Sequence, residues 1–160
     1  MEAIVFIGIA GSGKSTFYRE RFFRSHVRIS KDLLRTRNRE QVFLRACLNT
    51  QQRFVIDNTN VLMAERALYI PQAKQAKFRV VGYLFATELS EALRRNGQRA
   101  PAEVVPVKGV LSKFRSLQNP DFAEGFDQLF SVTIDSYSRF LVRPWALEIS
   151  LELPPDAPES

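Results

Sequence analysis

The stretch AIVFIGIAGSGKST, residues 3–16, leaves few folds open to this chain. Residues 3–8 form a continuous apolar run, the pattern of a strand buried on both faces, and such strands belong to parallel sheets with helices on either side. The run ends in a loop where Gly8, Gly11 and Gly13 allow tight turns and close backbone approach. Lys14, Ser15 and Thr16 then open a helix. In this arrangement backbone N–H groups from Gly8 through Ala10, Gly11, Ser12 and Gly13 converge on phosphate oxygens, and the positive end of the helix dipole faces the same anion. Lys14 would reach the β- and γ-phosphates, and the Ser15 hydroxyl would ligate Mg²⁺. The expected ligand is a nucleoside triphosphate.

The remaining segments alternate in the same way. VRIS (27–30), RFVID (53–57), FRVVGYLFA (78–86) and LFSVTI (129–134) read as strands, giving a five-stranded parallel sheet with helices on both faces. In NREQVFLRACLNT, Val42, Phe43, Ala46 and Cys47 are expected on one buried helical face. Ala64, Ala67 and Leu68 mark a further helix, with a kink or break near Ile70 imposed by Pro71. ELSEALRRN forms the next. Pro106 suits the first turn of a helix carrying Val107, Val110, Leu111 and Phe114 at i, i+3, i+4 and i+7. Residues 1–150 read as one domain, and the proline-rich, acidic end from 151 to 160 as a frayed tail.

Composition narrows the setting. A single cysteine, Cys47, excludes an internal disulfide, and its apolar neighbours make it a buried small hydrophobe. No apolar run is long enough to span a membrane, and the N-terminus lacks the basic lead of a signal peptide, so a reducing cytoplasm is the expected compartment. A formal net charge of +6 favours an anionic partner without naming it. Phe22, Phe23 and Trp145 are the candidate surface aromatics, though packing is the expected role of each.

A second set of polar residues lies at the expected carboxyl ends of the strands. Asp57 ends the third strand, where a carboxylate can hold a water of the Mg²⁺ shell or cap the following loop. Asp32 follows the second strand and could accept a hydroxyl proton during attack on a γ-phosphate, or simply start a helix. Arg35, three residues on, could face the same way across one helical turn. Arg94, Arg95 and Arg99 lead from a helix into a segment containing Gly97 and Pro101, which reads as a mobile arginine-bearing lid.

These elements together resemble the kinase domain of polynucleotide 5′-hydroxyl kinases, both the phage type and the animal kinase–phosphatase type. The likeness runs in order from about residue 3 to about residue 134 through GIAGSGKST, ISKDLLR, VIDNTN, LRRNGQR, the VP before the late helix, and FAEGFDQLF. The resemblance implies ATP as phosphoryl donor, Mg²⁺, and the 5′-OH end of a nucleic acid as acceptor. It implies Asp32 as general base, Arg35 engaging the phosphoryl group or acceptor strand, and Arg95 and Arg99 as lid arginines on the nucleotide. DNTN matches the animal form letter for letter. The phage form has serine then aspartate where Asp57 and Asn58 stand, which leaves the acidic role between those two positions. Lys31 stands where members often carry arginine. The length leaves no room here for a phosphatase or ligase domain. A small-molecule hydroxyl is the alternative acceptor, and a non-catalytic nucleotide switch the alternative of another class.

Overall fold

The computed structural model describes residues 1–145; the residues beyond, including the expected tail at 151–160, lie outside the described part. Strands β1 (Glu2–Ile7), β2 (Val27–Ile29), β3 (Phe54–Ile56), β4 (Arg79–Phe85) and β5 (Gln128–Ile134) pair in parallel. A sixth strand, β6 (Phe140–Pro144), returns antiparallel along β5. The order across the sheet is β2-β3-β1-β4-β5-β6, so β1 sits inside it, as its apolar run requires. The expected five-stranded parallel sheet is thus corrected to a mixed sheet of six. β6 escapes a reading by pattern because it is half-exposed along its length and ends at a proline, which only an edge strand tolerates.

Alternation along β1 explains why every residue after Glu2 is apolar. Ala3, Val5 and Ile7 join a core with Ile29, Leu44, Phe54, Tyr69 and Ile70, while Ile4 and Phe6 join a second core on the other face. That second core is largely aromatic: Phe6 meets Phe85 at 5.1 Å and Phe17 meets Phe140 at 5.1 Å between ring centroids. The thirteen phenylalanines of the chain find much of their use here.

Seven α-helices are described: α1 (Lys14–Arg21), α2 (Lys31–Leu34), α3 (Arg37–Asn49), α4 (Met63–Arg66), α5 (Ile70–Gln75), α6 (Leu89–Gly97) and α7 (Val107–Ser116). None of the described helices is long and apolar enough to cross a membrane. The buried face of α3 is Glu40, Leu44, Cys47 and Leu48; Val42, Phe43 and Ala46 face outward, against expectation, while Cys47 is buried as expected. Ala64, Ala67 and Leu68 are also exposed, and the residue that α4 buries is Arg66. The break foreseen at Pro71 falls a few residues earlier, at 67–69, because proline fits the first turn of the new helix α5. Of the four apolar positions expected to bury α7, only Val110 is fully covered.

Arg66 is held like a rivet. Its guanidinium donates to both carboxylate oxygens of Glu124, at 2.7 and 3.0 Å, and to the carbonyls of Asn60, Val61 and Gln118. A charge with no solvent exposure is tolerable only with such full pairing. It fixes the segment leaving β3 against the FAEG turn before β5.

Candidate active site

The loop between β1 and α1 has the geometry that phosphate binding demands. Gly11 and Gly13 take φ values of 80° and 97°, open to glycine at little cost. At Gly11 a Cβ would stand 2.2 Å from the Ala92 carbonyl oxygen, so α6 lies directly on the loop. Ala10 packs beside Ile9, Ala92 and Val110 in the small core beneath that contact. The Gly8 N–H donates to the Thr59 carbonyl at 2.9 Å, tying the loop to the segment after β3. Ser12 is fully buried within the loop. Helix α1 has no acidic residue in its first turn and no side-chain cap at Gly13, which leaves its first N–H groups for an external anion. Thr16 lies on its exposed side, where its hydroxyl accepts from Arg19 at 3.3 Å.

Lys14 curls into the loop, where Nζ donates to the carbonyls of Gly8 and Ile9, each at 2.9 Å. Burial pushes its pKa down to about 8; Asp57 pulls it back up, Arg99 pushes it down and Asp32 pulls it up. The groups that act on this one ammonium therefore come from β1–α1, β3, the segment after α6, and α2. The penalty on the ammonium is one of burial, which a bound phosphate would offset by favouring the charged form.

Asp57, the residue after β3, is 4% exposed and aims at Ser15: the hydroxyl donates to Oδ2 at 3.2 Å. The guanidinium of Arg28 joins them, with Nε 2.8 Å from Asp57 Oδ2 and Nη2 3.2 Å from Ser15 Oγ. Oxygen donors gathered around a positive group suit Mg²⁺, which takes one or two protein ligands and completes its shell with phosphates and water. No cluster of three or more His, Cys, Asp or Glu side chains able to hold a metal occurs among the described residues.

Asn58 turns the other way. Its Oδ1 accepts from the Lys31 N–H at 2.8 Å, pinning the start of α2, and its Nδ2 donates to Glu40 Oε2 at 2.8 Å and Tyr69 Oη at 3.2 Å. Glu40 is fully buried, and also accepts from the Tyr69 hydroxyl at 2.5 Å and from Arg37 at 2.9 Å. Burial and the Glu40 carboxylate push the Tyr69 phenol well above its ordinary range, so the phenol keeps its proton. Sequence reasoning missed this network and Arg28 alike, because a charged residue inside an element carries no hydropathy signal of its role.

On α2, Asp32 is exposed and makes no side-chain hydrogen bond among the described residues. Arg35 caps that single turn with φ 74°, in a region that side chains other than glycine enter at a cost, and its side chain is exposed. Along α6, Arg94 and Arg95 both bond Glu91 on their own helix; those hydrogen bonds hold the Glu91 carboxyl down to about 2. Arg95 and Arg99 are half-buried, whereas Arg94 faces solvent. Asn96 brackets the following loop by donating to the Val105 carbonyl at 2.7 Å and accepting its N–H at 3.0 Å. The described fold thus brings Ser15, Asp57, Asp32 and Arg99 to the neighbourhood of Lys14 at the carboxyl end of β1, where open α/β sheets bind ligands.

A parallel-centred sheet in this order, with a glycine loop and lysine at the end of its inner strand, defines the P-loop kinase type of α/β domain. The chain belongs to the AAA domain family, whose model matches residues 4–119. Solved structures of the same shape include a gluconokinase from Sinorhizobium meliloti, with 17% identity, 82% of each chain covered and a TM-score of 0.57. Kti12 of Chaetomium thermophilum, solved in complex with ADP-AlF3, matches with 18% identity over 85% of this chain and 92% of that one, TM-score 0.61. The APS kinase CysC of Mycobacterium tuberculosis, in complex with AMPPNP and APS, matches with 20% identity over 84% and 88%, TM-score 0.52. At these identities the likeness is one of fold.

Proposed function

We propose that this chain is an ATP-dependent kinase that phosphorylates the 5′-hydroxyl end of a nucleic acid. The observation that carries the reading is that two carboxylates act on Lys14 from the carboxyl ends of the neighbouring strands β2 and β3, Asp32 exposed and Asp57 buried. Gly11, Gly13 and the first turn of α1 would hold the phosphates of ATP, with Lys14, Arg95 and Arg99 balancing their charge. Ser15 and Asp57 would hold Mg²⁺, directly or through water, which neutralises charge between the β- and γ-phosphates when bound. Asp32 takes the proton of the acceptor hydroxyl as its oxygen bonds to the γ-phosphorus; the bond from that phosphorus to the bridging oxygen breaks, and ADP leaves. Arg35, exposed beside Asp32, engages the acceptor strand or the transferred group.

The net charge of +6 supports a polyanionic acceptor, whose binding releases counterions and weakens as salt rises. The gluconokinase and APS kinase folds support a second reading, phosphorylation of a small-molecule hydroxyl. One assay separates the two: transfer of labelled γ-phosphate to a 5′-OH oligonucleotide, run beside nucleosides and sugars. Preferential, salt-sensitive labelling of the oligonucleotide is expected. An uncharged nucleoside labelled as well as the oligonucleotide replaces this reading with the second.

A further inference from the structure

The guanidinium of Arg28 lies where the reading above puts a metal. It bonds both groups assigned to Mg²⁺, Asp57 at 2.8 Å and Ser15 at 3.2 Å, and these two also bond each other. A carboxylate as buried as Asp57 needs a positive partner close by. Lys14 does not bond it, since its ammonium is donated to the Gly8 and Ile9 carbonyls. The Arg28 side chain is 29% exposed and rises from β2, the edge strand of the sheet. The side chain is thus partly open to water, which gives it a route out.

We propose that Arg28 is a resident substitute for the divalent cation, holding Ser15 and Asp57 in place in the metal-free protein and giving way when Mg²⁺ arrives. The inference rests on the Mg²⁺–nucleotide reading of the site. A bare cation must compete with the guanidinium already bonded to both groups. The metal therefore enters with phosphates, whose added negative charge offsets the loss of the Arg28 contacts. Without nucleotide, the cradle keeps its shape and gains little from free Mg²⁺.

Arg28→Met, which keeps much of the stem and removes the charge, tests this by thermal melting without nucleotide as MgCl₂ is titrated at constant ionic strength. The variant is expected to melt below the wild type in the absence of metal and to recover as Mg²⁺ is added. Its half-saturation should fall about tenfold or more below the wild type's, the scale of one charge-assisted hydrogen bond removed from the competition. The same half-saturation in both proteins overturns the proposal. An NMR measurement on the wild type alone guards against a variant that fails to fold: the Arg28 Nε–H resonance should move when Mg²⁺–ADP binds. A resonance that stays in place while Mg²⁺–ADP shifts the phosphate-loop amides overturns it equally. Stabilisation of the wild type by Mg²⁺–ATP, with Mg²⁺ half-saturation unchanged in the variant, leaves the nucleotide reading standing and removes only the role of Arg28. No stabilisation by Mg²⁺–ATP removes both.

Discussion

Asp32 and Asp57 follow neighbouring strands, β2 and β3, yet their surroundings prepare them for different work. Asp57 is buried and paired, so its charge is committed; Asp32 is exposed and unbonded among the described residues, free to accept a proton. Asp32→Asn is expected to reduce transfer by about 10² or more. Nucleotide affinity and melting temperature should stay unchanged, because an exposed asparagine starts a helix about as well. Wild-type turnover in Asp32→Asn would return this residue to the role of a helix start. Arg35 offers a complementary measurement. Glycine adopts its positive φ without strain, so Arg35→Gly should raise stability by roughly 0.5–1 kcal/mol in denaturant titrations while transfer falls. A variant that gains stability and loses no activity would show that the arginine serves only the turn. For Lys14, with its pKa down to about 8, a bound phosphate favours the ammonium and raises the pKa again. Above about pH 8 the complex then holds a proton that the free protein has lost. Nucleotide affinity should fall roughly tenfold between about pH 7 and pH 9, with proton uptake visible by calorimetry in buffers of different ionisation enthalpy. An affinity flat across that range would mean that Lys14 stays charged in the free protein.

At the scale of elements, the placement of α2 depends on residues that do not belong to it. Asn58 bonds its first N–H, and Glu40 and Tyr69 hold Asn58. Asn58→Ala should lower transfer by about tenfold with little change in nucleotide affinity, since it frees the turn that carries Asp32 and leaves the phosphate loop alone. Equal loss of both would place Asn58 in the nucleotide site. Arg66→Met, which strands the Glu124 carboxylate, should destabilise the fold by about 3–5 kcal/mol, read from denaturant midpoints. These two positions also show where a sequence reading stops. The phosphate loop is legible because its parts are contiguous and each residue type has one demand to meet. Glu40 and Arg66 are charged residues on the buried sides of α3 and α4, so apolar periodicity assigned those sides to Val42, Phe43, Ala64 and Leu68 instead. Much of the pairing that makes that burial tolerable comes from far along the chain, from Asn58, 18 residues from Glu40, and from Glu124, 58 residues from Arg66.

Across the whole molecule, five strands and the gathering of polar residues at their carboxyl ends follow from the alternation of apolar runs with helical segments. The contact of Arg28 with Ser15 and Asp57 depends on β2, β3 and β1 lying side by side, a fact of topology that local pattern does not carry. β6 depends on a reversal after Ile134 that no glycine or proline announces in the sequence. The close seat of α6 on Gly11, together with the Asn96 bracket, has a further effect on the two half-buried arginines. Arg95 stands on a helix that cannot shift without moving the phosphate loop, so under the proposed reading it would meet ATP as a fixed part of the floor. Arg99 stands inside the loop that Asn96 brackets, and the proposed lid role would have that loop change its path while both of its ends stay joined. The two charges are thereby separated in time: loss of Arg95 should appear as weaker ground-state binding and a higher KM, loss of Arg99 as a lower kcat at nearly unchanged KM.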